Sequence, residues 1–458
     1  MLLSLLLLGL GWAGAFSVNK ACDSVAHGFE CSPQISHYWG QYSPYFSVAS
    51  NVSTETPPRC SVTFAQVLSR HGARDPTFSK TKTYNETIQK IQQNTQQYIG
   101  SNVTFLEDLV YSLGADELTV FGQRQMYNSG IKFFHRYPAL SRKKHLFVRS
   151  SGESRVVESA RNFTQGFHHA LVKDSYSNLT ADYPYDIVVI SEDDGSNNTL
   201  SHDLCTNFEN EDDDVVDARG QGPWNEIWLP PITARINAQL PGANLTDKEI
   251  SYMMDLCPFY TVADVQGKLS QFCGIFFEEE WKQYDYYQSL GKYYHYGAGD
   301  PLGPTQGVGF ANELIARLIH KPVQDHTSTN ETLDSSAATF PIGSDSVLFA
   351  DFSHDNDMTA IFFALGLYNG TSSLDNTEIE EAPAVGGYSA AWTVPFAARL
   401  YVEGLTCGHS QEEYIRFIVN DRVIPLSCAD RDGKCKLQSY LDTLTFVKRD
   451  GDWSACFS

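Results

Sequence analysis

The chain has 458 residues, 42% of them hydrophobic and 19% charged, which is a globular composition with length enough for roughly two or three domains. Its formal net charge of −22 excludes nucleic acid and anionic membrane surfaces as partners, because both select for basic faces. A small anionic ligand is not excluded, since clustered arginines can focus a positive field inside an acidic protein.

Residues 1–15, MLLSLLLLGLGWAGA, form a short apolar run ending in Ala13-Gly14-Ala15, the pattern of a secretory signal peptide at its cleavage site. Cleavage there starts the mature chain near Phe16; the alternative is an apolar N-terminal strand. The run is shorter than the roughly 20 residues that span a bilayer, and no later segment is long enough to be an anchor. Secretion implies an oxidising compartment in which the ten cysteines can pair. None falls in a C-x-x-C pair, so zinc-ribbon and thioredoxin-like readings have no support. Cys22 with Cys31, Cys257 with Cys273, and Cys428 with Cys435 can close short loops, whereas Cys60, Cys205, Cys407 and Cys456 close long ones if paired; spacing leaves the connectivity open. Sequons open at Asn51, Asn85, Asn102, Asn162, Asn178, Asn197, Asn244, Asn330 and Asn369, a density that suits an extracellular glycoprotein.

Residues 60–69, CSVTFAQVLS, read as a buried strand that runs directly into Arg70-His71-Gly72-Ala73-Arg74-Asp75-Pro76. In open α/β sheets ligands bind at the carboxyl ends of strands, so the position favours function over a structural histidine. Arginine suits phosphate, because its planar fork matches two phosphate oxygens and stays charged. Crowded cations also favour a neutral imidazole, which has the lone pair needed to attack phosphorus. Gly72 permits close approach of backbone and substrate.

A second strand at 145–149 leads into Ser150-Ser151-Gly152-Glu153-Ser154-Arg155 and a helical pattern through Val157, Ala160, Phe163 and Phe167; a third strand at 186–190 follows. This alternation predicts an α/β domain with neighbouring parallel strands. From 205 to 321 the texture is helical, with Asp247-Lys248-Glu249 opening one helix and 310–319 forming another. The acidic run 209–214 reads as a solvated loop; a calcium site is the alternative, without the central glycine of an EF-hand. Strand texture returns at 347–352, running into Ser353-His354-Asp355, and again at 398–403 and 414–419. Asp355 can protonate a leaving oxygen and then take a proton from water, and His354 can bond phosphoryl oxygens. Alternatively Asp355 caps the helix read over 358–365. There is no internal repeat and no low-complexity stretch.

The pattern R-H-G-A-R-x-P at 70–76, S-x-x-S-R-V at 151–156 and a distal strand ending in H-D resembles the histidine acid phosphatases, and more narrowly the secreted fungal phytases of that family. The likeness spans the mature chain and includes 299–309 and 350–355. It implies a sheet flanked by helices with a second, smaller, mainly helical domain: an α/β catalytic part at 16–75, 135–200 and 330–458, and helical segments at 76–134 and 201–329 that form the other wall of the cleft. It implies His71 as the phosphohistidine-forming nucleophile, Arg70, Arg74, Arg155 and His354 as phosphate ligands, Asp355 as general acid, and no metal or other cofactor, since the arginines handle the charge. It further implies five disulfides: Cys22 to Cys31, Cys60 to Cys407, Cys205 to Cys456, Cys257 to Cys273 and Cys428 to Cys435.

Substrate choice is where this chain departs from the family. The position of Asp75 commonly carries tyrosine there, and basic residues recur around Lys80, Thr83, Gly291 and Lys292; only Lys80 and Lys292 are basic here, as candidate rim residues. The family's acidic position near Cys257 is Tyr260. A highly phosphorylated substrate needs positive charge beyond the scissile phosphate. The missing basic residues count against tight binding of such a substrate, but the resemblance keeps phytate, myo-inositol hexakisphosphate, as the leading substrate, with a broad-specificity acid phosphatase as the alternative and an inactive phosphate-ligand-binding protein behind both. A monomer acting on a small phosphate ester is expected.

Overall fold

The computed structural model describes residues 22–176, 182–409 and 411–457. The expected leader and the Asn178 sequon lie outside them. Eight strands form the main sheet: β1 (Cys60–Arg70), β2 (Phe147–Ser151), β3 (Ile187–Ile190), β4 (Leu348–Ser353), β5 (Arg399–Cys407), β6 (Glu412–Val419), β7 (Arg422–Val423) and β8 (Cys435–Lys436). Their order is β8-β6-β5-β1-β4-β2-β3, with β7 paired to β6. β1, β4, β2 and β3 run parallel, and β5 turns antiparallel on the other side of β1. The alternation of strand and helix correctly made β2 and β3 neighbours, but β4, from much later in the chain, lies between β1 and β2.

Residues 64–70 of β1 and all of β4 are buried, which explains their near-continuous apolar character: both faces of the sheet are covered. Alternate residues serve opposite cores. Val67, Ala350 and Phe352 pack with Met126, Phe133 and Phe163 on one side, while Leu68, Phe349 and Leu400 join the larger core on the other.

The long helices are α1 (Phe78–Asn94), α2 (Val120–Arg136), α3 (Ser154–Lys173), α4 (Gln221–Gln239), α5 (Asp247–Ala263), α6 (Glu278–Tyr296), α7 (Val308–Ile319) and α8 (Asp355–Ala364). α2 and α3 cover the first face and touch through glycines: a Cβ on Gly130 would lie 1.9 Å from the Phe163 carbonyl, and one on Gly166 equally close to that of Tyr127. The expected limit at 134 thus falls inside α2, a helix whose buried face belongs to the core of the sheet. α7 and α8 lie against the other face, and α1, α4, α5 and α6 pack together around Ile88, Trp228, Met253 and Trp281. α5 begins as read, with Thr246 and Glu249 forming a capping box. The acidic run is divided between the ends of two short helices, Thr206–Glu209 and Asp213–Arg219, with Asp212 capping the second and Glu211 paired to Arg219.

One buried polar knot ties these layers. Asp351 of β4 accepts hydrogen bonds from Gln66 of β1, Arg149 of β2 and Arg317 of α7 at 2.6–2.8 Å, and Arg149 forms a bidentate pair with Glu313 of α7. Disulfides join Cys22 to Cys31, Cys60 to Cys407, Cys205 to Cys456, Cys257 to Cys273 and Cys428 to Cys435. The second of these links directly opposed residues of β1 and β5. The asparagines of the eight described sequons are all exposed or half-buried. No helix among the described residues is long and apolar enough to cross a membrane.

Candidate active site

Strand order decides the geometry here. Arg70 is in register with Ser353, and the His71 N–H donates to the Ser353 carbonyl at 3.1 Å, so the motifs that end β1 and β4 meet at one carboxyl edge. β2 ends on the far side of β4 and delivers Glu153 and Arg155 to the same edge. α3 and α8 both start there, and their N-termini add a field that favours anions.

The His71 ring is buried, with Nδ1 2.8 Å from the carbonyl oxygen of Gly72. Donation from Nδ1–H to that oxygen leaves Nε2 with its lone pair. Burial and the charges of Arg70, Arg155, Arg74 and His354 hold the imidazole well below its ordinary pKa, which favours its neutral form. Gly72 has a different job from the one expected. A Cβ there would lie 2.5 Å from the Gly122 carbonyl, so the glycine lets two backbones, rather than backbone and substrate, come together.

Arg70 is fully buried behind His71, over the Phe396 ring; Nη1 donates to the carbonyls of Gln41 and Val394, and Nη2 lies 3.1 Å from Asp355 Oδ1. The Nε atoms of Arg70, Arg74 and Arg155 are sealed without hydrogen-bond partners among the described residues, while Nη2 of Arg70 has the ion pair with Asp355. These donors suit an anion. The His354 ring centroid is 5.7 Å from that of His71, and its Nε2 is 3.2 Å from Glu192 Oε1. Burial opposes charge on His354, but Glu192 and Asp357 outweigh it and raise its pKa.

Asp355 does not cap a helix. It is the first residue of α8, His354 takes the cap position, and the Asp355 carboxylate turns to Arg70 and to Lys292, whose Nζ is 2.5 Å from Oδ2. Burial would raise its pKa, but these two cations prevail and hold it well below the usual carboxylate range.

The cluster opens into a pocket of about 890 Å³ between the sheet edge and α5 and α6. His71, Arg74, Arg155, His354 and Asp355 line it. Lys80 stands at the rim, over Tyr252 and 3.8 Å from Asp255. Lys292 is not a rim residue: it is buried at the floor, bonded to Asp355 and Asn356. Gly291 lines the pocket, whereas Asp75, Thr83 and Tyr260 do not. Among the described residues, two carboxylate-histidine groups could gather around a cation, Glu153 with Glu192 and His354, and His202 with Asp203 and Glu209. Glu153 also pairs with Arg155, Glu192 with His354 and Glu209 with His202.

The family model of the histidine phosphatase superfamily (branch 2) matches residues 61–420. The chain belongs to that family. Among relatives of this histidine phosphatase are phytase A of Aspergillus oryzae, 49% identical over 448 residues that cover 96% of this chain and 94% of the relative, and phytase A of Penicillium oxalicum, 50% identical over 443 residues covering 95% of each. Of solved structures, the phytase from D. castellii superposes with a TM-score of 0.73 at 24% identity, covering 90% of this chain and 85% of that one. The multiple inositol polyphosphate phosphatase of Bifidobacterium longum, in complex with inositol hexasulfate, gives 0.60 at 15% identity over 90% and 98%. Both share the fold.

Several pocket residues of this histidine phosphatase escaped sequence reasoning. Glu192 could have been found, since it follows β3 at the same carboxyl edge as the motifs. Asp357 sits two residues beyond Asp355, in the first turn of α8. Lys248 and Asp255, on one side of α5, carry no local signal beyond helical periodicity, and His202 lies in a loop that nothing marks.

Proposed function

We propose that this histidine phosphatase is a secreted phytase, hydrolysing phytate to lower inositol phosphates and free phosphate through a phosphohistidine on His71. The observation that carries the mechanism is a buried imidazole whose Nδ1 is engaged by the Gly72 carbonyl, set among the guanidiniums of Arg70, Arg74 and Arg155, with the Asp355 carboxyl paired to Arg70 beside it; the surrounding cations favour its neutral form. Nε2 attacks phosphorus, the bond from phosphorus to the inositol oxygen breaks, and Asp355 supplies the proton that oxygen needs. Water then attacks the phosphohistidine, Asp355 takes its proton, and the N–P bond breaks. Arg70, Arg74, Arg155 and His354 hold the equatorial oxygens throughout. An incoming phosphate competes with Asp355 for Arg70 and Lys292, and so frees the carboxyl to take up the proton it must later give. The substrate reading is supported by the roomy pocket and by near-half identity with fungal proteins named phytase A. Secretion is supported by the disulfides and the accessible sequons.

One observation favours a broader acid phosphatase: Glu153, Glu192, Asp194, Asp203, Asp255 and Asp357 share the pocket with its cations and weaken its field for a polyanion. Phosphate release from phytate and from p-nitrophenyl phosphate, followed from about pH 3 to about pH 7 with EDTA, separates the readings. Phytate turnover that is lost in His71→Ala supports the phytase; strong p-nitrophenyl phosphate turnover with little release from phytate moves the chain to the broad phosphatases.

A further inference from the structure

The pocket wall beside His354 carries a histidine that the reaction above does not use. His202 lies in the loop before helix Thr206–Glu209 and lines the pocket, its ring braced by Phe208 and Tyr296 with centroids 5.5 and 5.4 Å away. Nδ1 is 2.8 Å from Glu209 Oε1, which leaves Nε2 as the nitrogen without a hydrogen bond to any described residue. Asp357, in the first turn of α8, lines the same wall; it is 5% exposed, and its Oδ1 is sealed from solvent without a hydrogen-bond partner among the described residues. A histidine and a carboxyl that the reaction above does not use thus line the same pocket as His71 and His354.

Their charges respond to acid in opposite senses. Burial pushes the Asp357 carboxyl up to about 6, against the pull of His202 and His354. Burial opposes charge on His202, yet Asp357 and Glu209 outweigh it and carry its pKa to about 9. Below about pH 6 Asp357 is therefore a neutral hydroxyl donor and His202 a cation facing Glu209 and Asp203, two donors for a phosphate; above it the ionised Asp357 adds a further negative charge beside His202 and repels anions. The other groups that face Asp357 are His354 at the head of its own helix, Glu192 after β3, Asp203 beside His202, and Lys292 and Tyr296 on α6. Among these, Lys292 is committed to Asp355 and His354 to Glu192.

We propose that His202 and Asp357 form a second phosphate subsite, which holds a phosphate of the substrate other than the one being cleaved. This rests on the reading of the substrate as an inositol polyphosphate, and it makes the pocket select polyphosphorylated esters more strongly in acid.

The test compares KM for phytate and for p-nitrophenyl phosphate, which has no second phosphate, in wild type, His202→Ala and Asp357→Asn at about pH 4.5 and about pH 7. At the lower pH His202→Ala should raise KM for phytate roughly tenfold, the worth of one charge-assisted hydrogen bond, with less than about a twofold change in KM for p-nitrophenyl phosphate and in kcat for either. Asp357→Asn, neutral at every pH, should keep KM for phytate low at about pH 7, where that of the wild type has risen. Equal changes on both substrates, or an unchanged KM for phytate, would overturn the subsite. If His202→Ala does not fold, Glu209→Gln decides, because it removes the carboxylate that sustains the histidine's charge and should move KM for phytate in the same direction. A wild type that cleaves p-nitrophenyl phosphate and not phytate would remove the substrate reading itself, a failure visible before any variant is measured.

Discussion

Lys292 Nζ lies 2.5 Å from Oδ2 of Asp355, a buried ion pair that joins α6 to the first residue of α8 at the floor of the pocket. Against burial, it acts with Arg70 to depress the pKa of Asp355. Removing the cation must raise that pKa, so the acid form persists to higher pH. Lys292→Met should move the alkaline limb of kcat for phytate upward by roughly one pH unit. The limb for p-nitrophenyl phosphate, whose leaving group hardly needs a proton, should move less. A kcat profile over pH on both substrates checks this, and a downward shift on phytate would refute the role given to Lys292.

Gly72 faces the backbone of Gly122, which cannot swing aside as a side chain could. Gly72→Ala should therefore lower stability by about 1–3 kcal/mol through overpacking and displace His71. A misplacement near 1 Å costs on the order of 100-fold in kcat/KM. Thermal melting together with p-nitrophenyl phosphate kinetics tests both parts; a variant with wild-type melting and rate would show that the loop has slack.

Asp351 balances Arg149 and Arg317 inside the sheet, with all three side chains almost wholly buried. Asp351→Ala leaves two guanidinium charges in the core, Arg149 still paired with Glu313 and Arg317 without an ion-pair partner among the described residues. A loss of about 3–5 kcal/mol is expected, the cost of breaking a buried pair from one side. Denaturant unfolding measures it, and Glu313→Ala should be of comparable severity.

Burial and the neighbouring Glu313 carboxylate push Asp334 up to about 8. An acid whose folded pKa exceeds its unfolded value of about 3.9 favours the fold while it is protonated. That contribution is complete below the unfolded value and is lost as pH rises toward 8. Asp334→Asn, which cannot ionise, should melt above wild type by a margin that grows from about pH 4 to about pH 8. A margin independent of pH would mean that Asp334 does not titrate in this range.

Much of this molecule was legible without coordinates. β1 and β4 are covered on both faces, so their apolar runs stand out in the sequence, and each stops where a polar motif begins at the sheet's edge. His71, Arg74, His354 and Asp355 stood out because they follow such strands, and Arg155 was added by the family resemblance of the motif at 151–156; the structure brings all five to one pocket. Tertiary structure decided the rest. That β4 lies between β1 and β2 depends on hydrogen bonds between segments far apart in the chain, which no local composition encodes. Asp355 could equally have been a helix cap, and only the arrival of Arg70 and Lys292 from two other elements made it a clamped carboxylate. Lys292 at the floor and His202 on the wall were hidden for the same reason: a side chain's charge and burial are set by what packs around it, and those neighbours are assembled only when the sheet and the helices close on each other.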